Sequence, residues 1–246
     1  MPSVALPAVS LAAVPGRRRA TLELAREIER RGFAGIYCPS FGDGVGLCEA
    51  LAFATERIPF GTSIANIYTR HVADYAQTAS LIHELSGGRF RFGVGVSHGP
   101  ALERLGVKAG APLGDMRAFV AGLHASPRTG EQPPIVLATL RKKMIALAGE
   151  VAQGMVFANG ARSHMRESLS VLPAARANDP AFFIGNMIPT CISDDIAAAA
   201  ATNVRMSPSG GPAFTPSRSS AGPCETPTPK RKRPPESSWI KEAVCA

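Results

Sequence analysis

The stretch Leu85-Ser86-Gly87-Gly88-Arg89-Phe90-Arg91-Phe92-Gly93-Val94-Gly95-Val96-Ser97-His98-Gly99 decides the fold of this chain. A helical pattern ends at Leu85-Ser86, and two glycines follow at once. Glycine is favoured just past the last turn because it enters the left-handed conformation without a steric penalty. Phe90, Phe92, Val94 and Val96 then alternate with Arg89, Arg91, Gly93 and Gly95, the two-residue period of a strand. The strand leaves through Ser97-His98-Gly99, so functional groups stand where it stops.

The same alternation of strand and helix extends outward in both directions. Strand-like segments fall at Val4–Ala12, Gly35–Pro39, Ile58–Ile64, Phe90–Val96, Pro134–Ala138, Met155–Asn159 and Phe182–Met187. Between them, Leu24, Ala25 and Ile28 share one helical face, as do Val72, Tyr75, Ala79 and Ile82, and Met144, Leu147, Ala148 and Val151. Strands separated by single helices imply parallel pairing with right-handed crossovers. The expected fold is α/β, a (β/α)8 TIM-barrel type with seven strands, one short of closure. An open, doubly wound sheet is the alternative.

Composition changes after about Asn203. From Val204 to Ala246 the chain carries eight prolines and seven serines without amphipathic period, and this segment is expected to be disordered. The domain reading is therefore a barrel over residues 1–203 and a tail over 204–246. Ser193-Asp194-Asp195 caps a helix running into Ala197–Ala201, and the tail stands where an eighth strand is expected.

Net charge is +8, and the tail holds seven Lys/Arg against three Asp/Glu, or +4 of it. The body is only modestly basic, so nucleic acid is not an expected partner, and the Lys230–Arg233 run reads as solvated. No apolar run reaches the ~18 residues of a membrane helix. The apolar segment Val4–Val14 lacks a preceding basic region and reads as a first strand rather than a secretory signal. Five scattered cysteines without a C-x-x-C pair point to reduced thiols in a cytoplasmic protein, with no zinc site.

Several strings carry a family resemblance: Arg31-Gly32-Phe33-Ala34-Gly35-Ile36-Tyr37, Thr55-Glu56-Arg57-Ile58, Thr69-Arg70-His71, Leu85 to Val96, and Leu147-Ala148-Gly149-Glu150. In this order and spacing the chain resembles the bacterial-luciferase-like flavin- or F420-dependent oxidoreductases over about residues 4–203. The resemblance implies an (α/β)8 barrel with FMN or coenzyme F420 at the C-terminal ends of its strands. It also implies a small organic substrate and leaves room for a homodimer. The family's insertion after the fourth strand is short here, between Gly110 and Pro134.

Candidate site residues follow the strand ends. Ser97 and His98 stand at the mouth after the fourth strand, where barrel enzymes collect binding and catalytic groups. His98 can carry a proton near neutral pH, and Ser97 can bond a heterocycle edge. Both can equally be turn or capping residues. Asn66-Ile67-Tyr68-Thr69-Arg70-His71 follows the third strand. The resemblance places such strings beside the cofactor ring, often after a backbone irregularity, which makes Asn66 a candidate catalytic and binding residue. Arg70 and His71 are binding candidates whose alternative is capping the next helix. The string resembles the "NPYTRHP"-type segments of methylenetetrahydromethanopterin reductase-like members, which favours F420 slightly over FMN; Ile67 in place of the family's proline weakens that preference.

Thr139, Leu140, Arg141 and Lys142, with Lys143, open a helix after the fifth strand. Free N–H groups and basic side chains there suit an anion, and the resemblance assigns this loop to the cofactor phosphate; the alternative is a solvated first turn. Asn159 ends the sixth strand as a binding candidate or a turn residue, and Asn186 and Met187 end the seventh. Gly93, Gly95 and Gly99 have the wrong spacing for a dinucleotide fingerprint. His83-Glu84 lies within a helix and reads as surface, while Met144 and Phe157 read as core. No Ser-His-Asp order, H-E-x-x-H or P-loop occurs, and no strand-end Lys or carboxylate supports an aldolase or isomerase. Two function classes remain. One is a flavin- or F420-dependent oxidoreductase whose cofactor carries the chemistry. The other is a truncated, non-catalytic barrel with a frame-shifted-looking basic tail.

Overall fold

The computed structural model describes residues 5–40, 42–97, 99–190 and 194–195. Expectations about the tail from Val204, the helix at Ser193–Ala201 and the side chain of His98 lie outside the described residues.

All seven expected strands form, most of them shorter than their apolar runs. They are β1 (Val9–Ser10), β2 (Ile36–Cys38), β3 (Phe60–Thr62) with β4 (Ala65–Asn66), β5 (Phe90–Gly95), β6 (Ile135–Thr139), β7 (Gly154–Ala158) and β8 (Phe183–Met187). The third expected strand is thus two pieces. β3 pairs with the start of β5 and β4 with its end, and a cis peptide joins Ser63 to Ile64 between them. This is the backbone irregularity expected ahead of Asn66.

Every pairing is parallel, in the order β1-β2-β3-β5-β6-β7-β8 with β4 beside β5, so spatial order follows chain order. The crossovers are α1 (Arg18–Arg30), α2 (Gly44–Ala54), α3 (Val72–Leu85), α4 (Gly99–Arg104) with α5 (Pro112–Ala125), α6 (Lys142–Val151), and α7 (Arg162–Leu169) with α8 (Ala174–Ala177). α5 occupies the short insertion region. Among the described residues no pairing joins β8 to β1.

The sheet is nevertheless curled. β2 and β8 are five ladder steps apart, which in a flat sheet is about 24 Å. Yet the rings of Tyr37 on β2 and Phe183 on β8 lie 5.7 Å apart, and Ser63 Oγ lies 2.9 Å from Met187 Sδ on β8. Such contacts require the last strand to face back across the concave side. The result is an incomplete TIM barrel.

The alternation on β5 separates two environments. Phe90, Phe92 and Val94 are buried against the helices; Phe90 meets Phe60, and Phe92 meets Tyr75 of α3. Arg91, Gly93 and Gly95 take the concave face. A Cβ on Gly93 would collide with the Thr62 carbonyl oxygen, so glycine is what lets β5 approach this close to β3. Expected core positions are met: Phe157 is fully buried and Met144 packs against the core. His83 departs from its surface reading, because Nδ1 is buried and unpartnered at the end of α3. The helix turns this edge of the ring toward the Gly88 bend.

Arg89 fastens the N-terminal end of β5. It donates to the carbonyls of Ser86, Ile58, Ala52 and Thr55 and to Thr55 Oγ1, at 2.8–3.1 Å. Its guanidinium also lies 5.1 Å from the centre of the Phe60 ring. A second fastening lies nearby. Glu29 of α1 accepts from the N–H groups of Glu56, Arg57 and Ile58 as the chain enters β3. Burial pushes the Glu29 carboxyl up, but those three N–H groups outweigh it and hold it below the usual range.

Candidate functional site

Parallel pairing gathers the C-terminal ends of all strands along one edge, where α/β folds place their ligands. Asn66, Ser97 and Thr139 stand at or just past the ends of the adjacent strands β4, β5 and β6. Asn159 follows β7, and Asn186 and Met187 finish β8.

Asn66 is 7% exposed. Its Oδ1 accepts from the Tyr68 N–H at 3.0 Å, and its carbonyl accepts from Tyr75 OH and Thr69 Oγ1. These bonds hold the backbone in a tight turn and leave Nδ2 without a partner among the described residues. A fixed amide donor at a strand end is thus available to a ligand. Ser97 is half-buried with φ of 60°, a left-handed conformation that costs a non-glycine residue energy and recurs at functional sites.

Arg70 and His71 are drawn into local structure. Arg70 pairs with Asp43, the N-cap of α2, at 3.3 Å and with Asp74 at 3.9 Å, and it lies over the Tyr75 ring. His71 is the N-cap of α3, its Nδ1 accepting from the Ala73 N–H at 3.3 Å. Their capping and pairing roles are therefore occupied in this structure.

The start of α6 keeps its anion-binding character. Arg141 is the N-cap and makes no side-chain capping bond, so among the described residues the first N–H groups of the helix have no side-chain acceptor. Thr139 is 3% exposed, and its hydroxyl makes one long bond of 3.5 Å to the Val156 carbonyl. Leu140 is exposed, and its carbonyl lies 3.0 Å from His164 Nε2. Lys142 is engaged by Glu167 at 2.8 Å, whereas Arg141 and Lys143 are exposed with no ion pair among the described residues. Two cations and the helix start suit a phosphate.

Asn159 takes a left-handed turn with φ of 53°, and its N–H donates to the Met187 carbonyl. Asn186 exchanges two bonds with Gly160, clamping the exits of β7 and β8. Asn186 lies within β8, and its side chain serves this clamp.

Sequence reasoning missed Asp115. Its Oδ2 accepts from Tyr68 OH at 2.6 Å and from the Gly110 N–H at 2.9 Å, tying α5 to the Asn66 turn. Burial first, and the Asp115 carboxylate second, push the Tyr68 hydroxyl up to about 12, so it stays a donor at neutral pH. Only the acidic residue in the first turn of α5 signalled this. Among the described residues no cluster of His, Cys, Asp and Glu is placed to hold a metal ion, and no helix is long and apolar enough to cross a membrane.

Comparison with known proteins agrees with this architecture. The chain is 27% identical over 157 residues to the 5,10-methylenetetrahydromethanopterin reductase of Methanolobus tindarius, covering 54% of this chain and 48% of that protein. It therefore spans about half the length of this curated relative. The coenzyme F420-dependent tetrahydromethanopterin reductase from Methanopyrus kandleri superposes with a TM-score of 0.66 at 16% identity, covering 82% of this chain and 70% of that one. The oxygenating constituent of 3,6-diketocamphane monooxygenase from Pseudomonas putida, in complex with FMN, gives 0.59 at 14% identity, covering 77% and 69%. These two likenesses establish the fold. The model of the luciferase-like monooxygenase family matches residues 3–124 and 114–233, and the chain belongs to that family.

Proposed function

We propose that this chain is an F420- or FMN-dependent oxidoreductase acting on a small organic substrate. The observation that carries the reading is the row of donors along the C-terminal edge: the Asn66 amide, Ser97, and the open start of α6 with Arg141 and Lys143. The bound cofactor would supply the hydride or oxygen chemistry. Asn66 and Ser97, with His98, would face its ring, while Thr139, Leu140, Arg141 and Lys142 would hold its phosphate. The half-buried edge of the sheet would shield the ring from water. Arg70, His71 and Asn159 then shape the wall rather than bond the ligand. F420 is the first cofactor to test, in keeping with the Asn66–His71 string and with the reductase to which the chain is similar.

The decisive experiment is a titration of the full chain with FMN and with F420, followed by absorbance. Thr139→Glu sets a negative charge beside the phosphate and should weaken binding about tenfold or more, with the far-UV spectrum unchanged. Unchanged affinity in a folded variant excludes this site. The second reading is a non-catalytic barrel. Absence of binding for both cofactors would support it.

A further inference from the structure

The Asn66 amide can donate to a ligand in only one of its two orientations. The Tyr68 N–H faces Oδ1 at 3.0 Å, because two donors cannot face each other, and Nδ2 is thereby left for the strand-end edge. Rotating the amide by half a turn would set an acceptor where a donor now stands. Whatever holds Tyr68 therefore decides which atom Asn66 presents.

Helix α5 grips this turn twice. Asp115 and Phe119 are four residues apart and share one face of the helix. Phe119 meets the Tyr75 ring edge-on at 5.6 Å, and the Tyr75 hydroxyl donates to the Asn66 carbonyl at 2.8 Å. Asp115 Oδ2 accepts from the Tyr68 hydroxyl at 2.6 Å. The two grips differ in kind. Tyr75 is buried and is also held by the Phe92 ring at 5.4 Å and by Thr69 Oγ1 at 2.7 Å, so the backbone of the turn has several supports. Tyr68 is half-buried, and its hydroxyl bonds to Asp115 alone among the described residues. The Gly110 N–H fastens the same carboxylate at 2.9 Å. The Tyr68 hydroxyl, pushed up to about 12 by burial and then by the carboxylate, keeps its proton through the neutral range, so the bond keeps its direction. A bond to an ionised acceptor is also stronger than a neutral one.

We propose that Asp115 is a positioning residue: through Tyr68 it holds the Asn66 amide with Oδ1 inward and Nδ2 toward the strand-end edge, set to donate to the cofactor ring. Its part in ring binding rests on the cofactor reading of this edge, whereas the orientation of the amide does not. An amide released into several orientations binds in proportion to its competent fraction; with about a fifth competent, affinity falls about fivefold.

The test uses the full chain isotopically labelled at its five asparagines, with the side-chain amide signals followed by NMR. The pair lost in Asn66→Ala assigns Asn66. Without cofactor, Tyr68→Phe and Asp115→Ala should each move the Asn66 pair toward the position of a free amide, while Asn178 and Asn186 keep theirs. Tyr68→Phe alone suffices where Asp115→Ala fails to fold. Titration with whichever of F420 and FMN the unmodified chain binds gives the second readout. Tyr68→Phe should weaken binding about fivefold, and the double variant with Asn66→Ala should bind no worse than Asn66→Ala, because both act through one group. An unmoved Asn66 pair in Tyr68→Phe overturns the proposal. So do changes shared equally by Asn178 and Asn186, or losses of affinity that multiply in the double variant. Binding of neither cofactor by the unmodified chain overturns the cofactor reading instead, and the NMR signals then decide the positioning.

Discussion

Replacing Arg89 with Met keeps the aliphatic stem and removes one group that serves five acceptors. Those acceptors end two helices and start one strand: Ala52 and Thr55 at the close of α2, Ser86 at the close of α3, and Ile58 before β3. Helix C-termini carry partial negative charge, so the guanidinium also neutralises two converging dipoles. A hydrogen bond to a charged group is worth about 1.5–3 kcal/mol net. Five at that value would rival the whole stability of a domain, roughly 5–15 kcal/mol, so they cannot add in full. Arg89 is half-buried, and burial itself holds its pKa below the ordinary value, which marks an unfavourable desolvation set against the bonds. Taken together, a loss of about 3 kcal/mol is expected. For a domain of this size each kcal/mol moves the midpoint by about 2–4 °C, so the melting temperature should fall by ~6–12 °C. Circular dichroism at 222 nm reads the shift. Arg89→Lys should recover less than half of the lost stability, because one ammonium cannot span the same fork. A drop under ~2 °C for Arg89→Met would refute the claim that this residue fastens the three elements.

Two further perturbations probe the body of the fold. Glu29→Gln should cost about 1 kcal/mol at pH 7 after allowing for solvent screening. The folded carboxyl lies below its ordinary value. Its contribution is therefore complete above the unfolded-state pKa of about 4.3 and is lost as pH falls through the lower folded value. Urea melts at pH 7, 4 and 3 should show the gap between the two proteins narrowing in acid; a constant gap would contradict the assigned role. Gly93→Ala should yield insoluble or unfolded protein, because the new methyl group meets the Thr62 carbonyl rather than a movable side chain. A soluble variant with wild-type melting would show that β3 and β5 can separate without loss.

The strands were legible because each is a short apolar run bounded by glycine, proline or a polar cluster. The break within the third was expected only through the family resemblance, since Ile58 to Ile64 reads as one continuous strand and nothing in its pattern announces a change of pairing at Ser63. Arg89 and Arg91 look alike in the pattern, as polar residues alternating with Phe. Their fates diverge because one meets helix ends and the other meets the concave face, a distinction that only the curl of the sheet creates. Glu29 belongs to an exposed-looking helix face, and its partners are backbone groups 27–29 residues away. The strand-end positions of Asn66, Ser97 and Thr139 were readable from the alternation of elements. The capping of α3 by His71 and the bond from Tyr68 to Asp115 depend on local angles and on a distant helix, and neither leaves a periodic trace.

Because spatial order follows chain order, each new strand finds its partner already made by the segment just before it. Assembly along the sheet closes only short loops, which are entropically mild. The contacts that bend it are of another kind: Ser63 reaches Met187 across 124 residues, and Arg91 reaches Tyr37 across 54. Ladder growth can thus proceed as the polypeptide leaves the ribosome, while the contact from Ser63 to Met187 awaits β8. During synthesis the growing edge is always a bare strand, and it is the interval before β8 arrives that leaves the concave surface most open to chaperones and to aggregation.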